Sequence, residues 1–216
     1  MPQLFSPAAD TIARTVLVAL VLAPAVAFAA MWGWERSDYL TGRHLTVEQP
    51  VPFSHQHHVG ELGIDCRYCH ASVENSRFAG MPSSHVCMSC HSQIWTNAAM
   101  LAPVRESLAT GRPLRWNRVN NLPDYVYFDH SVHVKNGVPC EACHGRVHEM
   151  PLMRQAAPLT MGWCVSCHKD PNPRLVSPER VFDTRLGEPD DPLDAARKYV
   201  RHAHTRGLTD CSVCHR

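Results

Sequence analysis

Hydrophobic positions are concentrated near one end of the chain. Thr15 to Trp34 reads TVLVALVLAPAVAFAAMWGW, 20 residues without a charge. As a helix rising ~1.5 Å per residue it spans about 30 Å, the hydrocarbon thickness of a bilayer. Trp32 and Trp34 close the run, where interfacial anchors sit. A cleaved signal peptide is the competing interpretation, since Ala25-Val-Ala27 and Ala27-Phe-Ala29 resemble cleavage sites. The run is longer than the ~7–15 residues of a signal core, so a retained anchor is expected over 15–34. It follows a short segment 1–14 and precedes a connector 35–52.

Beyond the connector no comparable apolar stretch recurs, and the predicted elements are short. Residues 92–111, SQIWTNAAMLAPVRESLATG, read as a helix stopped by Gly111. Residues 112–128 look extended and carry Arg112, Arg115 and Arg118, which suit either anionic partners or a solvated basic stretch. The Pro- and Asp-rich 169–191 segment predicts irregular structure, and Asp191-Pro192 predicts the start of a helix reaching about His204.

Ten cysteines and fifteen histidines change this picture. The cysteines form five pairs, Cys66/Cys69, Cys87/Cys90, Cys140/Cys143, Cys164/Cys167 and Cys211/Cys214, and each pair is followed by a histidine: His70, His91, His144, His168 and His215. A single CxxC suits a zinc knuckle or a redox disulfide. Five copies of CxxCH, with no cysteine left over, are the attachment unit of c-type haem. Two thiols three positions apart meet the two vinyl groups of one porphyrin as thioethers, and the adjacent imidazole turns onto the iron. Five covalently bound haem c groups are expected. The aromatic content of 7% is thin for an ordinary core, and the porphyrin faces supply the missing apolar surface. A formal charge of +1 offers no nucleic-acid-binding basicity. Because covalent haem attachment takes place outside the cytoplasmic membrane, residues 35–216 are expected on the periplasmic side of a bacterial cytoplasmic membrane.

The cysteine units sit in an internal duplication. Phe53-Ser-His55-Gln-His-His58 opens a unit of 39 residues, 53–91, and Phe128-Asp-His130-Ser-Val-His133 opens one of 41, 128–168, each holding two CxxCH sites. A fifth unit occupies 191–216. His55 and His58, like His130 and His133, share one helical face, and two adjacent imidazoles cannot bind one face of one iron, so each serves a different haem as distal ligand. His57 falls off that face and is expected to be solvated or to bind a propionate. For the fifth distal position the candidates are His44, His85, His148, His202, His204 and the methionines, among them Met150 and Met161, whose counterparts in the first repeat are Ser76 and Ser84.

In these residues the chain resembles the pentahaem cytochrome c subunit of alternative complex III, a bacterial quinol-oxidising membrane complex. The resemblance is carried by PFSHQHHVGELGIDCRYCH, AGMPSSHVCMSCHSQIW, FDHSVHV, CHGRVHEMPL, LTMGWCVSCH and the terminal TDCSVCHR. It implies a mostly α fold with much irregular structure, one transmembrane helix and a haem-packed domain over 53–216. It also implies an iron–sulfur subunit of the molybdopterin-enzyme type, polytopic quinol-binding subunits and a monohaem cytochrome as partners, besides membrane lipid. Four haems would be bis-histidine, through His55, His58, His130 and His133, and one histidine/methionine, through Met150 or Met161, with Met150 preferred. The expected role is electron transfer from quinol toward a periplasmic acceptor, with no small-molecule substrate of the chain's own. Two other functions compete: a stand-alone membrane-anchored quinol dehydrogenase, and a multihaem reductase with an open iron position.

Overall fold

The computed structural model describes residues 6–171, 174–184, 186 and 208–215. The expected helix at 191–204 lies outside them, as do His202 and His204. Two compact units are present, one ending at Gly42 and the other beginning at Arg43.

The first unit is dominated by helix α1, Pro7–Glu35, which begins well before the charge-free run because Asp10 and Arg14 pair at 2.9 Å one turn apart. Its span Ala8–Glu35 has a mean hydropathy of 2.3, and none of the apolar stretch is covered by protein. By length and composition it can cross a bilayer. Pro24 lies inside the helix. Below it the Arg36 guanidinium lies 3.4 Å from the Trp32 ring centroid, an arrangement suited to a headgroup boundary. A short helix α2, Asp38–Thr41, follows and is capped by Ser37.

The second unit is helical and irregular; among the described residues it contains isolated β-bridges and no strand. Its elements are a π-helical turn Gln56–Glu61, then α3 Cys66–Cys69, α4 Ser84–His91, a 3-10 turn Ala99–Leu101 continuing into α5 Ala102–Thr110, α6 His130–Lys135, α7 Glu141–His144, a 3-10 turn Val147–Glu149, α8 Met161–Lys169, a 3-10 turn Pro178–Arg180 and α9 Cys211–Cys214. The helix expected over 92–111 forms only in its second half. Trp95 takes a left-handed backbone, φ 52, which breaks the first half. Pro103 fits the opening turn of α5, and Gly111, φ 68, ends it as expected.

The polypeptide's own core is small. Val73, Val134, Val176 and Val181 form one cluster, and Val51, Leu101 and Val104 form another. The second packs against Cys87 and Met88 of α4, so it backs the second CxxCH unit.

Candidate haem-binding site

Each CxxCH is wound as one helical turn, which brings the first cysteine and the histidine onto one face. The backbone N–H of His70 donates to Cys66 at 2.9 Å, that of His144 to Cys140 at 2.9 Å and that of His215 to Cys211 at 2.9 Å. Asp65 caps α3, accepting the Arg67 N–H at 2.8 Å, and Thr160 caps α8. None of the ten cysteines is in a disulfide.

The two distal turns are built alike. Phe53 meets His55 edge-on at 4.9 Å and 87°, and stacks on His58 at 4.4 Å and 25°. Phe128 meets His130 at 4.7 Å and 88°, and stacks on His133 at 4.5 Å and 28°. One phenyl ring thus fixes both imidazoles of its motif. The second turn is also capped by Asp129, which accepts from the Ser131 and Val132 backbone N–H groups. Gly60 lets the first turn lie against Val147–Glu149, because a Cβ there would collide with the His148 carbonyl.

The fold brings each of these histidines to a CxxCH histidine. Ring centroids are 6.2 Å apart for His58 and His91, 6.3 Å for His130 and His144, and 6.1 Å for His133 and His168. An iron held between two imidazoles spaces their centroids at about 6 Å, from two metal–nitrogen bonds of ~2 Å and the two ring radii. His55 lies close to His70: burial, then the nearness of His70 and His58, pushes its pKa down to about 4.

The protonation pattern also suits metal binding. A carbonyl can only accept, so a histidine Nδ1 placed against one carries the proton and leaves the Nε2 lone pair free. His58 Nδ1 donates to the Ser54 carbonyl at 2.8 Å, His70 to Gly80 at 2.7 Å, His91 to Ile94 at 3.3 Å, His130 to Arg77 at 2.8 Å, His133 to Asp129 at 2.7 Å, His168 to Leu208 at 2.9 Å and His215 to Tyr125 at 3.2 Å. His55 and His144 keep a buried Nδ1 with no partner among the described residues. Burial, followed by its neighbours His130, His70 and His55, holds His144 down at about 4. Burial likewise lowers His58 and His133. These are neutral imidazoles, the form that binds iron. Thiol pairs, free imidazoles and apolar surroundings together fit haem.

The remaining candidates separate. His57 is tied down rather than simply solvated: its Nδ1 lies 2.8 Å from Glu61, and its ring stacks on Trp95 at 6.1 Å and 12°. His148 sits 3.1 Å from Glu141. His44 has a left-handed backbone and donates its N–H to Gln155, and His85 is exposed on α4. Met150 is buried at 3% beside Gly145, whereas Met161 opens α8 with 71% of its surface free. Arg118 bonds Asn121 at 3.1 Å. Residue identity gave no sign of the carbonyls that fix the histidine tautomers, nor of Trp95 beside His91 at 6.4 Å.

Neighbouring units meet through their cysteines. Burial and then the nearby Cys87 raise the Cys69 thiol. Cys66 and Cys140 hydrogen-bond to each other, which lowers the first thiol and raises the second. Burial, Cys167 and Cys164 push Cys143 up to about 11, and burial and Cys214 raise Cys164. Adjacency therefore runs from the second unit to the first, third, fourth and fifth.

No protein-family model matches the chain. The menaquinone reductase multihaem cytochrome c subunit of Nitratidesulfovibrio vulgaris strain Hildenborough is 38% identical over 176 residues, 78% of this chain and 77% of that protein. Similarity of that extent, over a chain with five haem-attachment units, makes the protein a member of the multihaem cytochrome c subunit family to which the menaquinone reductase subunit belongs.

Proposed function

We propose that the chain is the electron-transfer subunit of a membrane-bound quinol oxidoreductase of the alternative complex III kind, carrying five covalent haem c groups. When bound, haem supplies one-electron redox chemistry. The chain's residues do the rest. The five cysteine pairs hold the groups as thioethers, and His70, His91, His144, His168 and His215 bind from the proximal side. His55 serves the first unit, His58 the second, His130 the third and His133 the fourth. Each motif thereby clamps two neighbouring haems to one short turn. Met150 or Met161 provides the fifth distal ligand and raises the potential of that group relative to its bis-histidine neighbours.

The observation that carries this proposal is the trio of imidazole pairs 6.1–6.3 Å apart, in the same order in both repeats. The adjacency of the units supports a linear path, second, first, third, fourth, fifth. The relative's name speaks of menaquinone reduction, and a chain of low-spin haems carries electrons in either direction as its partners dictate. Helix α1 anchors the subunit in the cytoplasmic membrane, with the haem domain on the periplasmic side. There it meets an iron–sulfur subunit of the molybdopterin-enzyme type, polytopic quinone-binding subunits and a monohaem cytochrome.

Affinity purification of the tagged chain from detergent-solubilised membranes tests the proposal. Expected are copurifying polytopic and iron–sulfur subunits, five haems per chain by the pyridine haemochrome assay, and haem reduction by quinol only in the complex. Rapid reduction of the isolated chain by quinol would instead make it a stand-alone quinol dehydrogenase.

A further inference from the structure

Trp116 lies in the segment between the two repeats, outside every CxxCH and Phe-x-His motif. Its ring packs on the Val51, Leu101 and Val104 cluster, the same cluster that Cys87 and Met88 of α4 lean on. Its indole Nε1 is fully buried and has no hydrogen-bond partner among the described residues. An indole N–H can only donate, and a buried donor left unpaired costs about what a lost hydrogen bond costs.

The ring is held there deliberately. The Asn117 backbone N–H donates to Gln49 Oε1 at 2.9 Å, Gln49 Nε2 returns a bond to the Asn117 carbonyl at 2.8 Å, and Asn117 Nδ2 donates to the Glu48 carbonyl at 2.6 Å. This clamp fixes the backbone next to Trp116. The segment is therefore not simply a solvated linker, although three arginines punctuate it.

Resting on the haem assignment above, one chemical argument identifies the missing acceptor. The four porphyrin nitrogens are bound to iron and the macrocycle edge is hydrocarbon, so the acceptors a haem offers are its propionate carboxylates. We propose that the Trp116 indole N–H donates to a propionate of the haem carried by Cys87, Cys90 and His91, as a positioning residue that also tunes that haem. A hydrogen bond to the carboxylate draws negative charge away from the iron, which disfavours the ferric state and holds the potential up.

The Trp116→Phe variant keeps the ring and removes the donor. In the purified complex it is compared with wild type by redox titration and by redox-induced infrared difference spectroscopy. Expected are a full complement of haem, a lowered midpoint for a single haem, and a shifted carboxylate band that is missing when Cys87→Ala and Cys90→Ala remove the second unit. Unchanged midpoints and carboxylate bands with all haems present would overturn the role of Trp116 and leave the haem assignment standing. Absence of covalent haem in the wild type would overturn the haem assignment itself. Should W116F fail to assemble, ultraviolet resonance Raman of the wild type gives a second readout. A hydrogen-bonded indole N–H resistant to deuterium exchange is expected, and its absence would sink the proposal.

Discussion

The imidazoles of His130 and His144 lie nearly parallel, 5° apart, with centroids separated by 6.3 Å. The His58 and His91 planes are inclined by 64°, and those of His133 and His168 by 43°. Parallel axial planes split the iron dπ orbitals strongly, whereas steeply crossed planes leave them nearly degenerate. Electron paramagnetic resonance of the oxidised protein is expected to contain both an ordinary rhombic low-spin signal, from the third unit, and a large-g signal, from the second. His130→Ala should remove the rhombic component and introduce a high-spin one. If His58→Ala removes it instead, the pairing of distal histidines with units is wrong.

Phe53 and Phe128 each hold two imidazoles, one by an edge contact and one by stacking. Such contacts contribute ~0.5–1.5 kcal/mol apiece beyond the area they bury. Phe53→Ala is expected to loosen His55 and His58 together and to perturb the first and second units while sparing the third and fourth. Phe128→Ala should do the reverse. Carbon monoxide binding to the reduced variants measures this, since a loosened distal histidine yields its place to the gas. Binding spread evenly over all units in both variants would contradict the pairing.

How far the sequence reveals the site depends on which atoms do the work. Haem attachment and the two distal motifs reside in the identities and spacing of cysteine, histidine and phenylalanine, so both could be read directly. The tautomer of each imidazole is set by backbone carbonyls of Gly80, Arg77, Ile94, Leu208 and Tyr125, groups every residue possesses, and no pattern announces them. Helix α5 was legible at Gly111 but not at its start, where the left-handed Trp95 overrides local propensity. His57 was misjudged for a similar reason: its partner Trp95 lies in a different element. The membrane-compatible helix was legible, although its start was not, because the Asp10–Arg14 pair extends it into polar sequence.

Met150 and Met161 make opposite cases for the fifth distal position. Met150 is buried beside Gly145, in the third unit. Met161 is open to its surroundings and lies three residues before Cys164, whose thiol feels Cys214 of the fifth unit. An axial methionine raises haem potential relative to histidine. Replacing the true ligand by histidine should therefore lower the highest midpoint, and replacing the other methionine should leave it in place. Redox titration of Met150→His and Met161→His decides between them, and two unaltered titrations would exclude both.

Asp65 couples the first unit to pH. Its carboxylate caps α3 and accepts from Arg67 three times: the backbone N–H at 2.8 Å, Nε at 2.9 Å and Nη2 at 2.8 Å. The Arg67 side chain, ahead of the backbone bond, holds the carboxyl below its ordinary 3.8. Unfolded, the group takes up a proton near 3.8; folded, it resists until lower pH. Between those two values the unfolded chain binds more protons, so the stabilisation is complete above about 4 and falls as the solution is acidified further. The side chain is 45% exposed, so solvent screens the charge and the cap contributes about 1 kcal/mol. Asp65→Ala is expected to lower the thermal midpoint at pH 5 and to lose less than wild type on going to pH 3. Asp65→Asn keeps a capping oxygen without the titration and should fall between the two at pH 5. Calorimetry at both pH values checks this, and a wild-type acid response that persists undiminished in Asp65→Asn would show that other carboxylates carry it.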